Sequence, residues 1–326
     1  MNPIHLQAVS GLLIAVATSG CGTLPIPLSS GPRATLPPAL AQYYDYTPLK
    51  LTASVRSTEA GDDFQLQRLT LTAKATASMR PIQLDWYQPL EPGRHPIILM
   101  SPILAGNDLY IREFARFFAG RRLHAVLVYR PKEIFTGDRA LEDIELHFQE
   151  SILQLRQTLD WLSQQPQVDP QQIGSFAISM GAILTTVLAA VEPRLQASVL
   201  TLAAGEIPQI IMASTEKGVR KRRNNYLREN NLTESQALEK LQAMFRSEPM
   251  RYAPAIDPNR VLLVSGLFDR VLGLKRSWRL WRALGRPRWV ILPTGHFSSV
   301  LATPGIKLLA YSFLRRKLRQ AAQPPR

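Results

Sequence analysis

Residues 173–183 read IGSFAISMGAI: a short β-prone run, then Ser179, then a small-residue segment able to start a helix. A serine between strand and helix has two uses. It can be a buried hydroxyl beneath a helix N-terminus, or a nucleophile held out on a sharp turn. The second use requires small residues two places before and two places after the serine, because the turn presses those backbones together. Here they are Ala177 and Gly181, a G-x-S-x-G pattern with alanine in first place. Such a turn also sets the next backbone N–H, that of Met180, near an incoming carbonyl oxygen.

A serine hydroxyl becomes nucleophilic only beside a base. Of the five histidines, His5 lies in the N-terminal segment and His95 and His124 lie at the amino ends of strands. His147 falls inside a long helix, where a place on the helix surface is expected. His296, in ILPTGHFSS, follows the carboxyl end of the last strand. The base in turn needs a carboxylate to fix its tautomer and stabilise its charged form. Asp269 follows VLLVSG directly, and Glu206 in AAGEIP is the alternative. Asp269 is favoured, because SGLFD and TGH put acid and base on adjacent strand ends. Ser179, His296 and Asp269 together describe acyl-transfer chemistry.

These residues need a frame, and the chain alternates strand and helix signals. LKLTASVRS, FQLQRLTLTA and PIQLDWYQPL have the period-2 character of antiparallel strands. PIILM (96–100) and AVLVY (125–129) are continuous apolar runs, suited to strands buried on both faces. YIREFARFFAGRR (110–122) has phenylalanines at helical spacing. Ile144, Phe148, Ile152, Leu155, Leu159 and Leu162 form a helical stripe that VDP ends. Strand IGSFAI, helix MGAILTTVLAAV and strand ASVLTLAA follow. Residues 207–257 are polar, basic and helical in character, after which VLLVSG, RWVILPT and the helix IKLLAYSFLRRKLR restore the rhythm. Repeated βα units imply a mostly parallel sheet with helices on both faces. Ligands bind outside the carboxyl ends of such strands, where Ser179, Asp269 and His296 all fall.

The order Ser179, Asp269, His296 is that of the α/β-hydrolase triad, and over roughly residues 45–318 the sequence resembles an α/β-hydrolase. DWLSQQPQVDPQQIGSFAISMGA is similar to the segment before the nucleophile in dienelactone-hydrolase-like and acyl-peptidase-like esterases. Best-known members of the first branch use cysteine; serine here points to ordinary ester chemistry. The resemblance implies a second oxyanion donor in SPILAGND, the backbone N–H of Ile103 or Leu104, paired with Met180; Pro102 has no N–H to give. It also implies a cap over residues 207–257, whose IPQIIMAS and MFRSEPM offer apolar surface for an acyl group or for core packing. An acyltransferase or peptidase of the same fold, or an inactive binding protein, would share this pattern.

With 45% hydrophobic and 20% charged residues among 326, the composition is that of a globular protein. The net charge of +14 is high. KGVRKRR (217–223) and FLRRKLR (313–319) lack the interleaved aromatics of a nucleic-acid platform, so a solvated basic face or attraction to an anionic membrane is expected. No Gly-rich phosphate loop or HExxH occurs, and Cys21 is the lone cysteine. No cofactor, metal or disulfide is expected.

Ala8–Ala17 (AVSGLLIAVA) is too short to cross a bilayer, which takes about 20 residues. Followed by TSGC, it has the layout of an export signal. It resembles the signal peptide and lipobox of bacterial lipoproteins, although MNPIHLQ contains no Lys or Arg and Thr18 stands where leucine is usual. The resemblance implies a diacylated Cys21 as the new first residue, anchored in the cell envelope and facing the periplasm or exterior. The expected division is a signal at 1–20, a Pro/Gly/Ser-rich tether at 21–44, the hydrolase domain at 45–318 and a basic tail at 319–326.

Overall fold

In the computed structural model the described residues are 33–73, 80–104, 108–130 and 141–322. The signal segment and Cys21 lie outside them. Nine strands are described: β1 (Leu51–Ala60), β2 (Phe64–Ala73), β3 (Ile82–Pro89), β4 (His95–Ser101), β5 (His124–Val128), β6 (Val168–Ile178), β7 (Leu195–Thr201), β8 (Val261–Gly266) and β9 (Arg288–Leu292). They form one sheet in the order β1-β2-β3-β5-β4-β6-β7-β8-β9. The β1–β2, β2–β3 and β3–β5 pairs are antiparallel, and every pair from β5 to β9 is parallel. The expected antiparallel edge and parallel centre are both present.

Ten helices accompany these strands among the described residues: α1 (Pro38–Gln42), α2 (Asp108–Ala119), α3 (Glu142–Leu162), α4 (Met180–Val191), α5 (Ile207–Ala213), α6 (Lys217–Glu229), α7 (Glu234–Met244), α8 (Pro249–Tyr252), α9 (Leu274–Ala283) and α10 (Thr303–Ala321). The pleat of β4 shows how they divide. Ile97 and Leu99 join a core with Phe148, Ile152 and Leu155 of α3 and Ile183 and Leu184 of α4. Ile98 and Met100 face the other way, onto Phe114 and Phe118 of α2 and Phe313 and Leu314 of α10. Strands buried on both faces therefore carry unbroken apolar runs, and burying each large side chain contributes roughly 1.5–3 kcal/mol. α9 packs Leu280 and Trp281 beside Leu200 and Leu263.

Between β7 and β8, helices α5 to α8 lie on the α3 side of the sheet. Phe245 meets Phe148 edge-on at 5.8 Å between ring centres. A buried polar knot secures them. Ser247 donates its backbone N–H to both oxygens of Glu145, at 3.0 and 3.1 Å, and its hydroxyl to Oε1 at 2.7 Å. That leaves the Ser247 oxygen to accept from Tyr44 at 2.6 Å. Burial drives the Glu145 pKa up, and the Ser247 bonds oppose it.

Four expectations are corrected. Residues 33–44, expected as part of a tether, lie against the body: Tyr44 is wholly buried, and Arg33 donates to the Ile256 carbonyl at 2.9 Å. His147 is buried rather than on a helix surface. Arg319 belongs to α10, so no separate tail begins there. β6 starts at Val168, five residues before the IGSFAI expected as the strand, because Val168 pairs with His95.

Candidate active site

The turn after β6 is strained. Ser179 has φ 56° and ψ −122°, backbone that costs a non-glycine residue on the order of 1–3 kcal/mol. Two bonds pin it: its N–H reaches the Thr201 carbonyl of β7 at 2.9 Å, and its carbonyl accepts from Ile183 of α4 at 3.0 Å. The need for a small residue at 181 has a specific cause. A methyl there would come within 2.5 Å of the Ser101 carbonyl oxygen and 3.0 Å of that of Pro102. The serine turn thus packs directly on the loop that follows β4.

Asp269 and His296 are brought together by the parallel pairing of β8 and β9. Beyond the strands, Leu267 N–H bonds to Leu292 and Phe268 N–H to Thr294, at 2.8 and 3.0 Å, tying the two loops. His296 Nδ1 donates to Asp269 Oδ2 at 2.8 Å, and Oδ1 accepts from the N–H groups of Val271 and Leu272 at 2.9 and 3.0 Å. Burial works to raise the Asp269 pKa, but the bond and charge of His296, with those N–H groups, outweigh it and hold the carboxyl below its usual range. An ionised Asp269 keeps the proton on Nδ1. His296 Nε2 is then free to accept from the Ser179 hydroxyl, 3.0 Å away.

Met180, first residue of α4, has an N–H with no intrahelical acceptor, at the positive end of the helix dipole. The loop carrying Ile103 and Leu104 is held by a residue that the sequence did not single out. Arg130, just past β5, donates through Nη2 to the carbonyls of Pro102 and Ile103 at 3.0 and 2.6 Å. In a planar trans peptide the N–H points opposite to the C=O, so the N–H groups of Ile103 and Leu104 point away from Arg130. Its Nε and Nη1 are sealed from solvent and have no acceptor among the described residues, and burial pushes its pKa down to about 10. Its place at a strand's carboxyl end was the available signal.

Glu206 is drawn elsewhere, to an ion pair with Arg279 and another with Arg276 at 3.7 Å. His95 and His124 stand at the far end of the sheet. Around the triad the loops are apolar and open: Phe268 and Phe297 are 62% and 72% exposed, with Val300 and Leu301 beside them. Among the described residues no group of three or more His, Cys, Asp or Glu could hold a metal ion. No described helix is long and apolar enough to cross a membrane.

Solved structures share this architecture. Acetyl xylan esterase 1 from Thermoanaerobacterium sp. JW/SL YS485 matches with TM-score 0.68 and 16% identity, over 91% of this chain and 97% of its own. The α/β-hydrolase fold is present. An acetyl xylan esterase from Paenibacillus sp. R4 matches this chain with TM-score 0.66 and 14% identity, over 86% and 91% of the two chains. The acylaminoacyl peptidase of Pyrococcus horikoshii matches with TM-score 0.55 and 15% identity, over 85% of this chain and 51% of its own. At such identities the likeness is one of fold. In sequence, a Bacillus subtilis (strain 168) protein called uncharacterized protein YdjC is 32% identical over 72 residues, 22% of this chain and 62% of that protein. No protein-family model matches the chain.

Proposed function

We propose that the protein is a serine hydrolase that cleaves carboxylic esters through an acyl-enzyme. The observation that carries this is the unbroken hydrogen-bonded line from Asp269 through His296 to Ser179, on a turn that presents the serine. The esterase names of the structural neighbours agree with it. Ser179 attacks the ester carbonyl while His296 Nε2 takes its proton. The oxyanion that forms is held by the N–H of Met180 and one from Ile103 or Leu104. His296 returns the proton to the leaving alcohol, and water, activated by the same imidazole, releases the acid. Asp269 holds the imidazolium in place throughout. The apolar rim of Phe268, Phe297, Val300 and Leu301 suits an ester with an apolar portion. Cys21 is the proposed lipid attachment, anchoring the protein at the cell envelope.

The test is hydrolysis of short-chain aryl esters and labelling by a fluorophosphonate probe. Ser179→Ala is expected to abolish labelling and lower turnover by about 10⁴-fold or more. Labelling that persists in that variant assigns the wrong serine, and an unreactive wild type refutes the enzyme. Transfer to added alcohols in preference to water would make it an acyltransferase, and cleavage of peptides over esters a peptidase. Cys21→Ser is expected to release the protein from membranes; unchanged retention would refute the anchor.

A further inference from the structure

The end of the molecule opposite Ser179 carries a cleft for which the ester chemistry has no use. α2 and α10 start side by side near the triad, where Thr303 Oγ1 lies 3.4 Å from Tyr110 Oη, and both run back along the sheet. Roughly sixteen residues at 1.5 Å each carry Arg319 about 24 Å from Thr303. There the two helices end beside His95, at the amino end of β4, around a cleft of about 500 Å³. Arg121, Arg122, Arg315 and Arg319 line it, with Tyr311 between them.

Two of the guanidinium groups, those of Arg121 and Arg315, are held in place by aromatic side chains and not by carboxylates. Arg121 lies over the Phe117 ring, 3.7 Å from its centre. Arg315 donates to the Tyr311 hydroxyl at 2.7 Å. Arg122 pairs with Glu91. Among the described residues Arg121, Arg315 and Arg319 make no ion pair. Part of this charge complements the helix C-termini, but each of those is worth only about half a negative charge. Four guanidiniums set against Glu91 and two helix ends leave a surplus of about two positive charges. Every cation in the lining is arginine, whose planar fork matches the oxygens of phosphate.

We propose that this cleft binds phosphate groups, carried by anionic lipid headgroups or by a free phosphate compound. The full chain is mixed with phosphatidylcholine vesicles with and without phosphatidylglycerol, and separately titrated with inorganic pyrophosphate. Arg315→Gln/Arg319→Gln removes two cleft charges; Arg220→Gln/Lys221→Gln removes two from α6. All four residues are exposed, so both variants are expected to fold, as circular dichroism would verify. The cleft variant is expected to bind about tenfold or more weakly, and the α6 variant within about threefold of wild type. Selective loss on phosphatidylglycerol vesicles assigns the cleft to headgroups; selective loss for pyrophosphate alone assigns it to a free phosphate compound. Equal losses in the two variants, or no binding by wild type to either probe, would overturn the proposal.

Discussion

Asp269 accepts three bonds at once, and each fixes something different. The N–H groups of Val271 and Leu272 orient the carboxylate, which then orients His296. Asp269→Asn preserves the shape but favours the wrong imidazole tautomer, so kcat for aryl esters is expected to fall by about 10⁴-fold. Arg130 acts at one remove, through the carbonyls of Pro102 and Ile103. Arg130→Lys keeps the charge and loses the reach to both. The N–H groups proposed to hold the oxyanion then drift, and kcat is expected to drop by about 10- to 100-fold with KM little changed. A rise in KM at constant kcat would place Arg130 in substrate binding instead.

At the level of elements, the contact that matters is the N-terminus of α4 against the loop after β4. Gly181→Ala pushes a methyl to 2.5 Å from a backbone carbonyl, which neither element can yield without moving Ser179 or the loop after β4. Loss of activity beyond about 10²-fold, together with a lowered Tm, is the expected result; wild-type activity in the alanine variant would show that the loop is free to shift. Much of this arrangement was legible in the residues themselves. β4, β5 and β8 carry apolar runs long enough to be buried on both faces, and Ala177 and Gly181 announce the turn. α9 escaped notice because Lys275, Arg276, Arg279 and Arg282 surround a narrow apolar stripe. Arg130 escaped because its bonds reach back 27 and 28 residues, across two strand ends, and leave no local pattern. Residues 33–44 have the composition of a tether, yet Tyr44 finds a buried partner in Ser247, over 200 positions away.

Across the whole molecule, chemistry and charge sit at opposite poles of the sheet. If the arginine cleft rests on a lipid surface, the triad faces away from it, toward water-borne esters. The arginine pole also contains a titrating group. His124 is buried, accepting from Trp86 Nε1 at Nδ1, 3.2 Å, and donating from Nε2 to the Gln167 carbonyl, 2.9 Å. Protonation would destroy the acceptor, and burial pushes its pKa down to about 4. The folded form stays neutral while the unfolded chain charges near pH 6.5. The unfolded state therefore binds more protons between these values, and stability falls as pH drops from about 6.5 toward 4. By pH 5 the loss is expected to reach roughly 2 kcal/mol. His124→Gln retains a donor and an acceptor but cannot titrate, so its urea midpoint should change less between pH 7.5 and 5. Equal slopes in the two proteins would clear His124 of the effect.

The position of α10 bears on how the protein is made. It covers the face of the sheet shared by Phe176 and Val199 with Ile306, Phe313 and Leu314, yet it leaves the ribosome after every strand it covers. A nascent chain at residue 290 already holds Ser179 and Asp269 but has neither base nor lid for that apolar face. Until the last helix arrives it is inert as a catalyst and prone to aggregate. Burial of that face therefore waits on the last residues of the chain to be made, whatever order the strands pair in.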